Sequence, residues 1–205
     1  MITNTMIYLL GFPGAGKLTI GQQLQAMLPA ILVDNHLINN VVFSLIDPDG
    51  KTKLPEAVWV NVRRIREVVF DTLKNLSRPQ RNFITTNALV EGVDRDEEHF
   101  EAVHELADSR DARFVVVRLH VDPDELCSRI GSPGRAGMFK DIDVESCRVR
   151  AAESNVLIPK SCGYFDLDVT SLTANQSARK ILEVVRDYDR DASELGKLKR
   201  EPPRR

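Results

Sequence analysis

The sequence predicts an α/β fold, in which a five-stranded, mainly parallel sheet carries helices on both faces. Three observations lead to this prediction. Short apolar runs occur at five places, 6–10, 30–33, 82–86, 112–120 and 164–169. Stretches with apolar residues at helical spacing lie between these runs, and a glycine-rich turn follows the first of them. Alternating strands and helices of this kind are typical of sheets built by right-handed crossovers.

The five predicted strands are apolar on both faces, as strands buried inside a parallel sheet are. Between the second and third strands, apolar residues follow the helical period at 58, 62, 65, 69, 73 and 76. The same period appears at 100, 103 and 106, and again at 178, 181, 182, 185 and 188. The run "TSLT" at 170–173 supplies a cap for the last of these helices.

Length and composition restrict the class of protein. A chain of 205 residues is long enough for one well-buried core and too short for two domains of ordinary size. Its net charge of −2 gives no basic field, so neither nucleic acid nor a membrane is expected as a partner. Cys127, Cys147 and Cys162 lack C-x-x-C spacing and fit reduced thiols. Without a signal-like or transmembrane-length segment, a cytoplasmic location is expected.

The glycine-rich turn is the most informative segment of the chain. It lies in "YLLGFPGAGKLTI" at 8–20 and matches G-x-x-x-x-G-K between a strand and a helix. Glycines let successive backbone N–H groups turn towards a phosphate without Cβ clashes. The N-terminus of the following helix adds partial positive charge, and Lys17 can reach the β- and γ-phosphates. The turn therefore predicts a nucleotide site.

The string G-x-P-G-x-G-K-x-T resembles the loop of adenylate kinase and its relatives, the nucleoside monophosphate and shikimate kinases. That resemblance implies a three-layer P-loop NTPase-type domain, a strand order of 2-3-1-4-5, and ATP and Mg²⁺ as cofactors. The residue after the lysine is Leu18, so the hydroxyl expected to support the phosphate and metal region is that of Thr19. The expected ATP contacts are Gly11, Pro13, Gly14, Ala15, Gly16, Lys17, Leu18 and Thr19.

Two other P-loop activities lack their sequence signals. No N-K-x-D motif for reading guanine is present. The strand-like runs at 82–86 and 112–120 do not end in the Asp or Asp-Glu of mechanical ATPases. These features favour phosphoryl transfer to a bound small molecule over hydrolysis.

Asp34 directly follows the second predicted strand, where a parallel sheet delivers side chains into the crevice beside the loop. Such a carboxylate can orient and deprotonate an acceptor hydroxyl and hold a Mg²⁺-bound water. The alternative is a helix N-cap, and the two roles are compatible. The gluconate and shikimate kinases have D-x-D here, whereas this chain has Asp34-Asn35-His36. Two roles are open to His36, contact with the substrate or assistance in proton transfer on the one hand and a structural role on the other, and we expect the structural one.

Arginines and polar residues further along the chain are candidates for holding the acceptor. "VWVNVRRIREVVF" places Arg63, Arg64 and Arg66 near the start of a helix. The kinases that the loop resembles commonly use an arginine there to hold the negative group of the acceptor. Arg63 and Arg64 are the predicted contacts, and a solvated charged face is the alternative. Asn87, after the third strand, is a weaker candidate for hydrogen bonding to the acceptor.

The segment "VVVRLHVDPDELCSRIGSPGRAGMFK" at 115–140 has the order seen before and through the lid of these kinases. The resemblance implies a lid at about 129–158, with Arg129 near the adenine. It also implies that Arg135 acts on the phosphates in catalysis, and that Lys140 is a further lid cation. We expect a single domain over 1–190, followed by a charged tail at 191–205.

The sequence thus predicts an ATP-dependent phosphotransferase that moves the γ-phosphate to a hydroxyl or phosphate of a small molecule. In this hypothesis Lys17, Asp34 and Arg135 are catalytic, and Asp34 with Thr19 serves Mg²⁺. The alternative is an ATP-binding regulatory module or a slow ATPase with no acceptor, which Leu18 and the missing second carboxylate favour.

Overall fold

The structure is a computed structural model that describes residues 2–132, 139 and 141–187. Five strands form one sheet: β1 (Thr5–Leu10), β2 (Ala30–Val33), β3 (Asn82–Asn87), β4 (Arg113–His120) and β5 (Tyr164–Asp168). Within the described residues, seven helices surround the sheet: α1 (Lys17–Met27), α2 (Asn35–Ile46), α3 (Glu56–Asn75), α4 (Asp94–Ser109), α5 (Pro123–Ile130), α6 (Val144–Glu153) and α7 (Ala174–Asp187). Each predicted strand is present within two residues of its expected ends.

The strand order is β2-β3-β1-β4-β5, and every pairing is parallel. The order implied by the resemblance is therefore confirmed, and so is the predicted α/β fold. All six residues of β1 are buried, as expected for the central strand of a sheet covered on both faces.

Two hydrophobic cores lie on opposite faces of the sheet. On one face, Ile7 and Leu9 of β1 pack with residues of α1, α5 and α7, including Leu24 and Ile181. On the other face, Met6, Tyr8 and Leu10 pack with α3 and α4, including Phe100. The alternation of β1 side chains between the two cores follows directly from the period of two in a strand.

A third, smaller cluster joins α2 to α3 away from the sheet. It contains Ile38, Phe43 and Val62, with Trp59 and Phe139 packed against it. The rings of Phe43 and Trp59 meet edge to face with centroids 5.8 Å apart. Since this cluster joins α2 and α3 to each other, it forms a wall beside the sheet rather than part of its main cores.

The parallel arrangement brings the ends of β1, β2 and β3 to one edge of the sheet. Leu10 of β1 is in register with Asn87 of β3, and Val33 of β2 is in register with Thr85. The Gly11 N–H donates to the carbonyl of Asn87 at 3.3 Å, so the glycine turn starts against the end of β3. Within the described ranges, no helix is both long and apolar enough to cross a membrane.

Candidate functional site

The glycine turn wraps around the ammonium group of Lys17. The Lys17 Nζ donates to the carbonyl oxygens of Gly11 at 2.6 Å and Phe12 at 2.9 Å. Lys17 is also the first residue of α1, so its charge lies where the backbone N–H groups of the first turn have no acceptors within the helix. Ammonium and N–H groups together form a concave donor surface that suits an anion.

Two glycines give the turn its shape. Gly14 and Gly16 have φ values of 93° and 86°, a conformation that glycine adopts without the Cβ penalty. A Cβ on Gly14 would lie 3.1 Å from side-chain atoms of both Leu126 and Ile130 of α5. Gly11 and Ala15 are buried beneath the turn, and Ala15 is 1% exposed. Gly14 and Gly16 are therefore needed for the conformation of the backbone as well as for the approach of a ligand.

A cavity of about 910 Å³ extends from this turn across the ends of β2 and β3. Pro13, Gly14, Gly16, Lys17, Leu18 and Thr19 line one part of it. Residues from α2, α3, β3 and α4 line the other part. We call the part lined by the turn the nucleotide half and the other part the acceptor half, after the roles that we propose for them. The turn and the acceptor half share one open space, which is large enough for two small ligands side by side.

Asp34 lies between these two parts and is 7% exposed. One carboxylate oxygen accepts from the Thr86 hydroxyl at 2.6 Å, and the other accepts from the His36 N–H at 3.0 Å. Asp34 is also the N-cap of α2, so the structural role considered from the sequence is present. A carboxylate oxygen has a second lone pair, so both contacts leave capacity to accept another donor.

Asn87 is held from two sides at the end of β3. Its side-chain oxygen accepts from the Tyr8 hydroxyl at 2.9 Å, and its amide nitrogen donates to Asn35 at 3.0 Å. Burial raises the pKa of Tyr8 well above its ordinary value, so this hydroxyl remains a donor. Asn87 lines the cavity, but its contacts also fix the segment after β2 against β3.

The three arginines of α3 differ in where they point. Arg63 lines the cavity and donates to Glu56 at 2.8 Å. Arg64 is exposed, lies outside the cavity lining and contacts Asn61. Arg66, which was not among the predicted contacts, is half-buried and lines the cavity. The helical period places residues 63 and 66 on one face and residue 64 on another.

Arg66 contacts a histidine from a different helix. Its guanidinium lies 2.6 Å from Nδ1 of His99 in α4, and both residues line the cavity. Desolvation by burial lowers the pKa of Arg66 from its ordinary value. Burial, with the nearby charge of Arg66, lowers the pKa of His99 to about 3. The imidazole is therefore neutral at physiological pH.

A metal ion would meet an oxygen-rich region between the turn and Asp34. Asp34 and Thr19 both line this part of the cavity, and Thr19 is exposed to it. Within the described ranges, no group of three or more His, Cys, Asp or Glu residues could hold a metal ion alone. Mg²⁺ usually binds through one or two carboxylates, waters and substrate phosphates, so this donor set fits that mode.

The predicted lid residues divide into those that the structure describes and those that it does not. Arg129 lines the cavity at the end of α5, where it donates to Glu125 and to the backbone oxygens of Val169 and Thr170. It thus joins α5 to the segment after β5. Arg135 and Lys140 lie outside the described residues.

Several cavity residues were not predicted from the sequence. Arg150 of α6 lines the cavity and pairs with Asp141 at 2.9 Å. Phe43, Trp59, Val62 and Phe139 give the acceptor half an apolar wall. No local motif marks these residues, because they come from separate elements. The helical face shared by residues 59, 62, 63 and 66 was the one available signal.

Comparison with known proteins supports the fold. No protein-family model matches the chain, and no curated protein matches its sequence. Solved structures, in contrast, match the fold of the chain. A candidate kinase from Chloroflexus aurantiacus superposes with a TM-score of 0.65 at 20% identity, covering 91% of this chain and 98% of that chain. A gluconokinase from Sinorhizobium meliloti gives a TM-score of 0.56 at 14% identity, covering 89% and 92%.

A thymidylate kinase from Candida albicans gives a TM-score of 0.56 at 14% identity, covering 91% of this chain and 93% of that chain. The chain therefore has the fold of P-loop small-molecule kinases, and the resemblance seen in the sequence is confirmed at the level of fold. These neighbours differ in the substrates in their names, so the likeness does not specify an acceptor.

Proposed function

We propose that this protein is an ATP-dependent phosphotransferase that moves the γ-phosphate to a hydroxyl or phosphate of a small molecule. One observation carries the proposal: the anion-binding turn with Lys17 and the buried carboxylate of Asp34 open into the same cavity. Transfer between two bound molecules requires such a shared space. The kinases with the same fold, which include a gluconokinase and a thymidylate kinase, support the reaction type.

In this proposal the turn binds the β- and γ-phosphates of ATP. Backbone N–H groups near Gly14 and Gly16 donate to phosphate oxygens, and Lys17 exchanges its two carbonyl contacts for them. Arg129 lies near the adenine, and Arg135 remains a proposed lid cation. Mg²⁺ bound at Asp34 and Thr19, directly or through water, would offset phosphate charge.

Asp34 would accept the proton of the acceptor hydroxyl. Its two contacts, with Thr86 and the His36 N–H, hold the carboxylate at the end of β2 facing the cavity. Because it caps α2 and serves the cavity at once, its orientation is fixed before any ligand binds. Preorganisation of this kind reduces the entropic cost of aligning the reacting groups.

Arg66 would bind a negative group of the acceptor, with Arg63 beside it. Both line the acceptor half, whereas Arg64 does not. A guanidinium can pair with carboxylate or phosphate through two parallel hydrogen bonds, so it also fixes the ligand's orientation. The apolar wall formed by Phe43, Trp59, Val62 and Phe139 would contact the rest of the acceptor.

The test is transfer of label from γ-labelled ATP with Mg²⁺ into a metabolite extract, and into gluconate, thymidine monophosphate and shikimate. We expect a labelled organic product with the native protein and at least a hundredfold slower transfer with Asp34→Asn. Asp122→Asn is the matched control, because Asp122 caps α5 outside the cavity lining. Free phosphate alone, or no movement of label, would favour the slow ATPase or regulatory module. Equal transfer to an organic product by Asp34→Asn would leave the phosphotransferase in place and remove Asp34 as its base.

A further inference from the structure

The cavity arginines differ in what compensates their charge. Arg63 pairs with Glu56 at 2.8 Å, Arg129 with Glu125 at 2.7 Å, and Arg150 with Asp141 at 2.9 Å. Arg66 has instead a contact of 2.6 Å with the ring of His99. Among the described residues, no carboxylate lies within salt-bridge distance of Arg66. Arg95, which also lines the cavity, lies 3.7 Å from a carboxylate oxygen of Asp96. The nearest partner of Arg66 is thus a neutral group, whereas the other four cavity arginines each pair with an anion.

The chemistry of the two groups fixes the tautomer of His99. A guanidinium has only N–H donors, so Nδ1 of His99 must accept the hydrogen bond. The proton of the neutral ring then lies on Nε2. A protonated ring would present a donor to a donor, beside a cation, in a half-buried place. Burial and the Arg66 charge therefore act in the same direction, against protonation.

A neutral hydrogen-bond acceptor, such as the ring of His99, affects the guanidinium of Arg66 differently from a carboxylate. It fixes one edge of the guanidinium but leaves the positive charge available to a ligand. A half-buried charge without a salt-bridged counter-ion is costly, even with the more distant charge of Glu67, and an anionic ligand in the cavity lowers that cost. A carboxylate at position 99 would lower it too, and would compete with the ligand.

We propose that His99 is a positioning residue that holds the guanidinium of Arg66, without a salt bridge to any described carboxylate, for the negative group of the acceptor. The proposal rests on the phosphotransferase function, since it assigns Arg66 to the acceptor. The acceptor is then an anionic molecule that carries the reacting group elsewhere. His99 acts through Arg66 and does not itself touch the reacting atoms.

The backbone around His99 is fixed in a way that suits this task. Asp96, one turn earlier in α4, accepts a hydrogen bond from the Val90 N–H at 2.9 Å. This bond ties the start of α4 to the segment that follows β3, next to Thr86 and Asn87. His99 is therefore presented from a helix anchored to the same edge of the sheet as Asp34. Arg66 from α3 and His99 from α4 meet across the wall of the cavity.

The experiment measures binding of inorganic phosphate to the full chain saturated with AMP-PNP and Mg²⁺, which fills the nucleotide half. The titration is followed by NMR of the His99 ring nitrogens and the Arg66 side chain. We expect His99→Phe to weaken phosphate binding about tenfold. The Arg66 N–H that donates to Nδ1 would lose its hydrogen-bond partner, and the guanidinium would lose its fixed orientation. His99→Gln, whose side-chain oxygen can accept, should restore binding to within about threefold.

His104→Phe is the matched control, since His104 lies on the same helix but contacts Ser161 outside the cavity lining. It should bind phosphate as the native chain does. The native His99 signals should show a bare Nδ1 and a protonated Nε2 from pH 5 to 8. Titration of His99 near pH 6.5, or equal phosphate binding by native chain and His99→Phe, would overturn the proposal.

Failure of this inference differs from failure of the proposed function. If AMP-PNP does not bind, or no acceptor is phosphorylated, the proposed function fails. If an acceptor is phosphorylated, His99→Phe should raise its KM about tenfold while kcat and the KM for ATP change little. A fall in kcat alone would show that His99 has a different role.

Discussion

The two halves of the cavity are built by different means. The nucleotide half is one continuous segment, in which backbone N–H groups, glycines and one lysine lie within nine residues, 11–19. The acceptor half takes single side chains from α2, α3, β3 and α4. Arg66, the cation that we propose binds the acceptor, contacts a partner 33 positions away in the chain.

This difference follows from what each half is proposed to do: the nucleotide half holds phosphates, and the acceptor half selects the acceptor. Holding a phosphate needs donors on a tight turn, and any chain with glycines in the right places can provide them. Selecting an acceptor needs side chains of particular chemistry at particular distances, which only the packed helices provide. The same nucleotide half can thus serve many activities on one fold, whereas the acceptor half sets the specificity.

The largest expected effect tests the nucleotide half. Lys17→Ala removes the ammonium group that the turn encloses, while the backbone donors remain. We expect kcat/KM for ATP to fall by about a thousandfold, a loss comparable to removing a main transition-state donor. Steady-state kinetics measure it, and Lys160→Ala, which removes a surface lysine paired with Glu97, is the control. Unchanged kinetics for Lys17→Ala would remove the turn from the proposed mechanism.

The next prediction sharpens the comparison in the acceptor half. Arg66→Met should raise the KM for an anionic acceptor about thirtyfold and leave the KM for ATP unchanged, because the charge-assisted hydrogen bonds are lost. Arg64→Met is the control, since Arg64 is exposed and lies outside the cavity lining. The opposite pattern, with Arg64→Met harmful and Arg66→Met silent, would restore the choice made from the sequence.

The third prediction concerns stability in acid. The pKa of His99 is about 3 in the folded chain, against an ordinary 6.5, so the unfolded chain binds the proton first as pH falls. Stability contributed by neutral His99 is present above pH 6.5 and is lost towards pH 3. Between pH 6.5 and 4, we expect His99→Gln to lose on the order of 3 kcal/mol less of its free energy of unfolding than the native chain does. Urea denaturation at several pH values measures this difference. If the native chain and His99→Gln lost the same free energy of unfolding as the pH falls, the pKa of His99 would not be lowered by folding.

The sequence allowed most of the fold to be predicted, for a physical reason. Strands such as β1 and β4 are apolar on both faces, so burial in a covered parallel sheet follows from their composition. The turn was recognisable because its chemistry is local. Asp34 could be placed because it ends a strand next to the turn, although its hydrogen bond with Thr86 was not foreseeable.

The acceptor half was less predictable. Arg63 and Arg66 share a helical face with Trp59, yet the charged run "RRIR" gave no measure of which arginine faces inward. His99 lies among acidic residues in the sequence, and its partner Arg66 comes from a different helix, α3. A pair that depends on packing between two helices has no local sequence signal.

The smallest expected effect returns to the nucleotide half and tests whether its shape comes from the backbone. Gly14 and Gly16 both have positive φ, so alanine at either should destabilise the chain by about 1 kcal/mol. A Cβ at Gly16 meets only Ile20, at 3.7 Å, but one at Gly14 lies 3.2 Å from the backbone oxygen of Leu126. A backbone atom cannot move aside as a side chain can, so Gly14→Ala should cost about 1 kcal/mol more.

Urea denaturation of the ligand-free chain measures that difference, with Gly163→Ala as the control because a Cβ there meets nothing within 4 Å. Equal losses for Gly14→Ala and Gly16→Ala would mean that α5 shifts to accommodate the methyl group. A larger loss for Gly14→Ala would show that the turn packs tightly against α5, the helix that contains Leu126 and Ile130. The nucleotide half would then depend on tertiary packing too, at this one residue, and the contrast with the acceptor half would be one of degree.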